Sequence, residues 1–267
     1  MNKMRARRPL VAGNWKMNGT LEQASALARA VLQALPASGE VEVALCPPYT
    51  ALAKVAELIR GTSIRLGAQN VHWEEKGAFT GEVSVPMLQE IGCHYVIVGH
   101  SERRQLFGES DSSVQKKTAS VLRQGLGAIV CVGETKEVRQ QKRTWGLVEQ
   151  QLSLGLDGIP TEQAKAHLVI AYEPVWAIGT GLNATPVQAQ EVHAQIRGWL
   201  KGRFGAELAE SIRIQYGGSV KPDNAQELMA QPDVDGALVG GASLDVKQFI
   251  AIIETALHAK ESKCSTP

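Results

Sequence analysis

Eight short apolar runs, rich in β-branched residues, recur at residues 10–16, 41–46, 64–69, 95–100, 128–133, 168–173, 212–217 and 236–240. Each is followed by a longer stretch with helical spacing. Most of the runs are near-continuously apolar instead of alternating, as expected of strands covered on both faces. Eight strand–helix units in 267 residues average about 33 residues each, which fits an α/β chain closed into a (β/α)8 barrel as a single domain. The competing architecture is an open doubly wound sheet. Its dinucleotide-binding version is weak here, because no GxGxxG follows the first run.

The intervening segments carry their own helix signals. Thr20-Leu21-Glu22-Gln23 reads as a capping box opening a helix over residues 24–35. Thr185-Pro186-Val187-Gln188 reads as a second, with proline at the first helical position. Leu21, Ala24, Ala28, Val31, Leu32 and Leu35 step by three and four, which builds an apolar face. Lys221-Pro222 starts a short helix through Met229, and Asp245 caps the last one. Residues 140–156 read as one long, partly amphipathic helix. No linker or composition shift divides the chain. The expected layout is a basic extension over residues 1–9, the barrel over 10–258 and a flexible tail over 259–267.

Composition narrows the function classes. A hydrophobic content of 44% supports a substantial core, and a net charge of +1 lacks the basic excess usual in nucleic-acid binders. A small-molecule partner is expected, with neither nucleic acid nor membrane. No run of about 20 apolar residues offers a membrane span. The opening Met1 to Arg8 is basic, but the apolar run after it is too short for a secretory core. Cys46, Cys93, Cys131 and Cys264 form no CxxC pair and have no His-rich company. Ordinary free thiols in a reducing cytosol are expected. Cys264 stands at the prenylation position, but Ser265 and Thr266 are not aliphatic, which discounts that motif.

In a barrel the chemistry belongs at the C-terminal ends of the strands. Those ends present Asn14-Trp15-Lys16, His100-Ser101-Glu102, Glu173, Gly217-Gly218-Ser219 and Gly240-Gly241. Glu173 closes the run 168–173, ahead of Pro174 and a glycine-containing loop. A carboxylate on a rigid strand tip beside a loop able to shut suits proton transfer, with Val175, Trp176 and Ile178 excluding water. The plainer alternative is a solvated Glu before an ordinary turn. Gly218-Ser219 and Gly240-Gly241 bring backbone N–H groups close to a ligand. The loops after strands seven and eight are the usual phosphate site of such barrels. Lys16 is either a strand-end lysine reaching solvent or a cation for the substrate and its oxyanion. Asn14 would orient Lys16 or the substrate. His100 is either a satisfied structural imidazole or a neutral hydrogen-bond donor to a carbonyl. Ser101 begins a turn or a helix, and Glu102 has two candidate partners, Lys16 and Arg103.

One base, one electrophile, one cation and a phosphate grip suit the movement of a proton between adjacent carbons of a sugar phosphate through an enediol(ate). That reaction needs no redox cofactor. No metal cluster, no second carboxylate base and no Ser–His–Asp order stands out among the strand ends. A metal-dependent epimerase lacks its ligands, and a Schiff-base aldolase lacks a lysine in the strand ending at Glu173. A barrel that binds a sugar phosphate without catalysis is the alternative from another class. It would have no need of Glu173 and His100.

The segments Val11 to Asn18, Gly99 to Arg104, Ala171 to Gly181, Tyr216 to Val220 and Leu238 to Ser243 resemble the triosephosphate isomerase family, in the right order from about Leu10 to His258. This family is itself a standard example of acid–base tuning and loop closure. The resemblance implies a TIM barrel that interconverts D-glyceraldehyde 3-phosphate and dihydroxyacetone phosphate in the cytoplasm, in glycolysis and gluconeogenesis, with no metal or cofactor. It implies catalytic roles for Glu173 as base, His100 as neutral electrophile and Lys16 as cation. Asn14 would help bind the substrate, and Gly179, Ser219, Gly240 and Gly241 would offer N–H groups to its phosphate. The lid would span residues 174–184, with its tip at 177–180. A homodimer is implied too, with Phe79 and Thr80 entering the neighbouring subunit beside Asn14 and Lys16. From the residues alone, Phe79 could equally anchor its loop on its own barrel. The second lid hinge departs from the family's usual pattern, reading Leu182-Asn183-Ala184, which bears on lid motion more than on chemistry.

Overall fold

A computed structural model describes residues 7–178 and 183–265. In chain order the elements are β1 (Leu10–Asn14), α1 (Leu21–Ala34), β2 (Glu42–Cys46), α2 (Tyr49–Ile59), β3 (Ile64–Ala68), α3 (Val85–Ile91), β4 (Tyr95–Val98), α4 (Ser101–Leu106) and α5 (Asp111–Arg123). There follow β5 (Gly127–Val132), α6 (Lys136–Gln140), α7 (Thr144–Gly155), α8 (Thr161–His167), β6 (Leu168–Tyr172), α9 (Pro186–Phe204), α10 (Ala206–Ala209), β7 (Arg213–Tyr216), α11 (Pro222–Met229), β8 (Gly236–Val239) and α12 (Val246–Ser265). The eight strands are all parallel and close into a barrel, β1 pairing with β2 through Leu10↔Glu42 and with β8 through Leu10↔Gly236. The expected (β/α)8 barrel is the observed one.

The near-continuous apolar runs have the predicted cause. Alternate strand residues split between two cores. Leu10, Ala12, Ala44, Ile97, Ile129, Val169 and Leu238 fill the barrel interior. Val11, Val43, Val96, Val98, Val130 and Ile170 face outward onto the helices. Both faces of most strands are therefore dry, and the half-buried residues Glu42, Arg65 and Arg213 lie at or near strand starts.

Both capping boxes are present. Thr20 accepts from Gln23 N–H while the Gln23 side chain accepts from Thr20 N–H, and Thr185 and Gln188 do the same, with Pro186 starting α9. Asp245 Oδ1 accepts from Gln248 N–H at 3.0 Å, capping α12 as expected. The single helix expected over residues 140–156 is instead two, α6 and α7. Lys142 takes φ +56°, and its N–H and that of Arg143 close α6 on the carbonyls of Arg139 and Val138. A left-handed turn normally calls for glycine, so a lysine there leaves no mark in the sequence pattern. At the other end of the chain, α12 continues through residues 259–265, where a tail was expected.

All the strands but β2 stop one or two residues earlier than the apolar runs. Lys16, His100 and Glu173 consequently stand just beyond β1, β4 and β6, on the first residues of the loops. The opposite, N-terminal mouth carries ion pairs. Asp235 joins Arg7 at 2.6 Å and Arg197 at 2.5 Å, and Glu42 joins Arg213 at 2.5 Å. A cavity at this end is lined by Arg7, Glu42, Arg213 and Asp235, whereas Glu173, His100 and Lys16 lie at the other.

Candidate active site

Glu173 leaves β6 but stays tied to the sheet, its N–H donating to the Val132 carbonyl at 2.8 Å. Its side chain is almost fully buried, with 1% exposure for the residue. Close glycines shape that burial. A Cβ on Gly217 would stand 2.8 Å from Glu173 Cγ, and one on Gly133 would overlap the Glu173 carbonyl oxygen. Pro174 then opens a tight turn, Val175–Ala177.

Gly99, at φ +73°, turns the chain out of β4, and His100 becomes the residue that caps α4. His100 Nδ1 accepts the Glu102 N–H at 3.2 Å, so the ring proton sits on Nε2. His100 Nε2 lies 2.9 Å from Glu173 Oε1 without an aligned hydrogen bond, while Ser101 N–H donates to Glu173 Oε2 at 2.8 Å. Burial opposes charge on both side chains. On Glu173 it is outweighed by the imidazole, the Ser101 N–H and Lys16, which hold the carboxyl below its usual range. On His100 burial is outweighed by the Glu173 carboxylate, which raises the imidazole. The α4 cap pulls the other way, since a proton on Nδ1 would abolish it. The cap geometry decides the tautomer: Nε2–H is the proton presented to the pocket.

Lys16 adopts φ +53°, a strained conformation for a residue with a side chain. Its N–H is bound by Asn14 Oδ1 at 3.1 Å and its carbonyl by Gln69 Nε2 at 2.9 Å. Asn14 thus orients Lys16, one of its two expected roles. The ammonium pairs with Glu102 Oε1 at 2.5 Å, which settles the partner of Glu102, while Arg103 lies nearest Glu109, at 3.6 Å. The lysine stem runs past the end of β8, where a Cβ on Gly240 would be 3.3 Å from Lys16 Cε. Ser219 and Gly241 follow β7 and β8 at the same end of the barrel. Gly179, Thr180 and Leu182 lie outside the described residues. Among the described residues, no group of three His, Cys, Asp or Glu side chains could hold a metal ion.

Three contributors escaped the sequence reading. Glu134 is a second carboxylate at a strand end, fully buried, accepting from Tyr172 Oη at 3.1 and 3.0 Å, Trp176 Nε1 at 2.9 Å and Arg139 Nη1 at 3.2 Å. It carries the first hinge of the expected lid. Gln69 buttresses Lys16, and Gln151 holds Gly133. Glu134 and Gln69 stand at the ends of β5 and β3, so reading every strand end would have found both; Gln151 sits on α7 with no such signal. Phe79, 42% exposed, rests on His72 with ring centroids 4.1 Å apart. Cys46, Cys93 and Cys131 are free and buried.

Residues 9–256 match the family model described as triosephosphate isomerase. The chain is 56% identical to a triosephosphate isomerase of Chloroflexus aurantiacus over 245 residues, 92% of this chain and 98% of the relative. It is 54% identical to one from Rhodopirellula baltica over 254 residues, 95% of this chain and all of the relative. The chain belongs to the triosephosphate isomerase family. It is accordingly an isomerase. Within this family's barrel, the geometry above gathers Glu173, His100, Lys16 and Asn14 at one mouth, as the strand-end reading required.

Proposed function

We propose that the protein interconverts D-glyceraldehyde 3-phosphate and dihydroxyacetone phosphate, with Glu173 as the base. The observation that carries this reading is the buried Glu173 carboxylate against the Nε2–H of a helix-capping His100. Glu173 removes the proton from the carbon beside the carbonyl. His100, neutral and with its proton on Nε2, donates to the oxygen on which negative charge develops. Lys16 adds positive charge to the same oxygen and to the substrate. His100 gives its Nε2 proton to that oxygen and takes the hydroxyl proton from the adjacent one. Glu173 returns the carbon proton to the neighbouring carbon, which leaves the carbonyl and the hydroxyl exchanged and both side chains as they began. No electron is transferred, so the reaction calls for no redox cofactor, and His100 and Lys16 take the electrophilic role a metal would otherwise fill. In the free protein Glu173 leans on His100 and Ser101 N–H; substrate enters by taking over the Nε2–H, which frees the carboxylate to face carbon.

The N–H groups of Gly179, Ser219, Gly240 and Gly241 grip the phosphate, with the Lys16 stem beside Gly240 and Asn14 helping to bind the substrate. The lid, residues 174–184, closes on hinges beginning at Val175-Trp176, whose indole and main chain both hang on Glu134. Its work belongs to glycolysis and gluconeogenesis in the cytoplasm. Among the described residues no helix is long and apolar enough to cross a membrane. The working unit is a homodimer: Met17, next to Lys16, is 95% exposed and Phe79 42% exposed, apolar surface that a second subunit would cover, with Phe79 and Thr80 entering beside Asn14 and Lys16. Sedimentation equilibrium of wild type and Thr80→Arg should show a dimer and its weakening; a wild-type monomer at micromolar concentration would refute it.

A coupled assay for glyceraldehyde 3-phosphate conversion, run in chelator with Glu173→Gln alongside, tests the reaction. Rapid turnover that falls by roughly three orders of magnitude or more in the variant is expected for loss of the group that moves the proton. Absent turnover with retained phosphate-ester binding would instead mark a binding barrel.

A further inference from the structure

Gln151 lies on α7, outside the barrel, and is 7% exposed on a helix face otherwise built from Val148, Leu152 and Gly155. A buried amide there needs partners, and both of its ends find them on a single backbone residue. Oε1 accepts the Gly133 N–H at 2.7 Å, and Nε2 donates to the Gly133 carbonyl at 3.2 Å.

The barrel explains why Gly133 needs outside help. Along a strand, successive residues turn their N–H and C=O groups to opposite neighbours. On the β6 side, Val132 O accepts the Glu173 N–H at 2.8 Å and Glu134 O accepts the Val175 N–H at 3.0 Å. On the other side, the β4–β5 register ends at Val98↔Val130. Continued, it would set residue 101 beside Gly133, but Gly99 at φ +73° has already turned the chain, and Ser101 starts α4. The turn that delivers His100 to the pocket thus strips β5 of its strand partner. Arg104 Nη2 takes up the Cys131 carbonyl at 3.2 Å, and Gln151 takes up both groups of Gly133.

Gly133 sits between the two carbonyls that hold Glu173 and Val175, and it has no side chain to steady it, because a Cβ would overlap the Glu173 carbonyl oxygen. We propose that Gln151 is a positioning residue for Glu173, acting through the Gly133 peptide groups in place of the missing strand. The proposal rests on the reading of Glu173 as the base. Without the amide, Gly133 is left with a buried donor and acceptor to satisfy, its peptide planes rotate, and the Glu173 backbone moves with them. Catalytic geometry is sensitive to displacements well below 1 Å.

The test is steady-state kinetics on Gln151→Leu and Gln151→Glu, each alone and combined with Glu173→Asp, with inorganic phosphate as the competitive probe of binding. Gln151→Leu should lower kcat about tenfold and leave KM and phosphate inhibition within about twofold. Gln151→Glu keeps an acceptor for the Gly133 N–H and should recover part of the loss. In Glu173→Asp, whose carboxylate is already withdrawn, the same change should cost much less, since effects acting through one group do not add. Unchanged kcat with only a lowered Tm, or an equal loss in both backgrounds, would make Gln151 merely structural. If Gln151→Leu does not fold, a wild-type kcat in Gln151→Met, of similar shape but without either hydrogen bond, overturns the proposal. Should Glu173→Asp itself turn over like wild type, the base assignment fails and this proposal with it; a slow Glu173→Asp beside an unaffected Gln151→Leu sinks the positioning role alone.

Discussion

The Glu173 carboxylate has little slack. Its backbone is tied to Val132, its two oxygens face Ser101 N–H and His100, and its Cγ would stand 2.8 Å from a Cβ on Gly217. Gly217→Ala should therefore push against the carboxylate. Since a shift near 1 Å can cost about 100-fold in rate, kcat should fall between roughly tenfold and 100-fold while KM stays close to wild type. Kinetics on the purified variant checks this, and an unchanged kcat would mean that the carboxylate can retreat freely. Lys16 shows the same economy of space: a left-handed backbone, held by Asn14 and Gln69, aims its ammonium at Glu102 and the end of β8.

At the scale of elements, the starts of helices are as informative as the ends of strands. His100 caps α4 through Nδ1 and carries its proton on Nε2, so the first turn of α4 selects the tautomer on which its proposed donor role depends. Thr185 caps α9 directly after Asn183-Ala184, the far end of the proposed lid. Thr185→Ala should cost about 1 kcal/mol of stability, while Thr185→Ser should be nearly neutral. Urea unfolding of both variants separates the cap from the methyl group: equal losses would mean that packing, not capping, holds Thr185 in place.

For the whole molecule, acid stability draws on a buried histidine outside the proposed catalytic set. His193 on α9 is fully buried between Tyr172 and Tyr216, its Nδ1 3.1 Å from the Asp233 carbonyl and its Nε2 without a hydrogen bond. Burial lowers its pKa to about 4. The Asp233 carbonyl, Asp235 and Asp233 favour the cation, and Arg197 opposes it, but none offsets the burial. The unfolded chain, with an ordinary imidazole, takes up the proton first as pH falls. Stability contributed by the neutral ring is complete above about pH 6.5 and is lost between there and about 4. Between pH 7.5 and 5 the loss should be about 2 kcal/mol. His94, lowered by burial and by Arg65, adds to the same slope. Urea titrations at the two pH values on wild type and His193→Gln should show the slope reduced in the variant; an unchanged slope would assign it elsewhere.

The barrel, both capping boxes and the residues Asn14, Lys16, His100 and Glu173 were legible in the amino-acid sequence, because each depends on local pattern: runs dry on both faces, caps three residues apart, and polar side chains where a strand gives out. The break between α6 and α7 was not, since Lys142 is an ordinary helix former placed in a left-handed turn that glycine would have signalled. The choice of Lys16 over Arg103 as partner of Glu102, the occupation of Glu134 by Tyr172, Trp176 and Arg139, and the grip of Gln151 on Gly133 were decided only by tertiary structure. Each joins segments between 5 and 86 residues apart, and most pair groups on different elements. Such pairings follow from the stagger of neighbouring strands and the tilt of helices across them, and a side chain's partner across that distance leaves no periodicity in the chain that carries it.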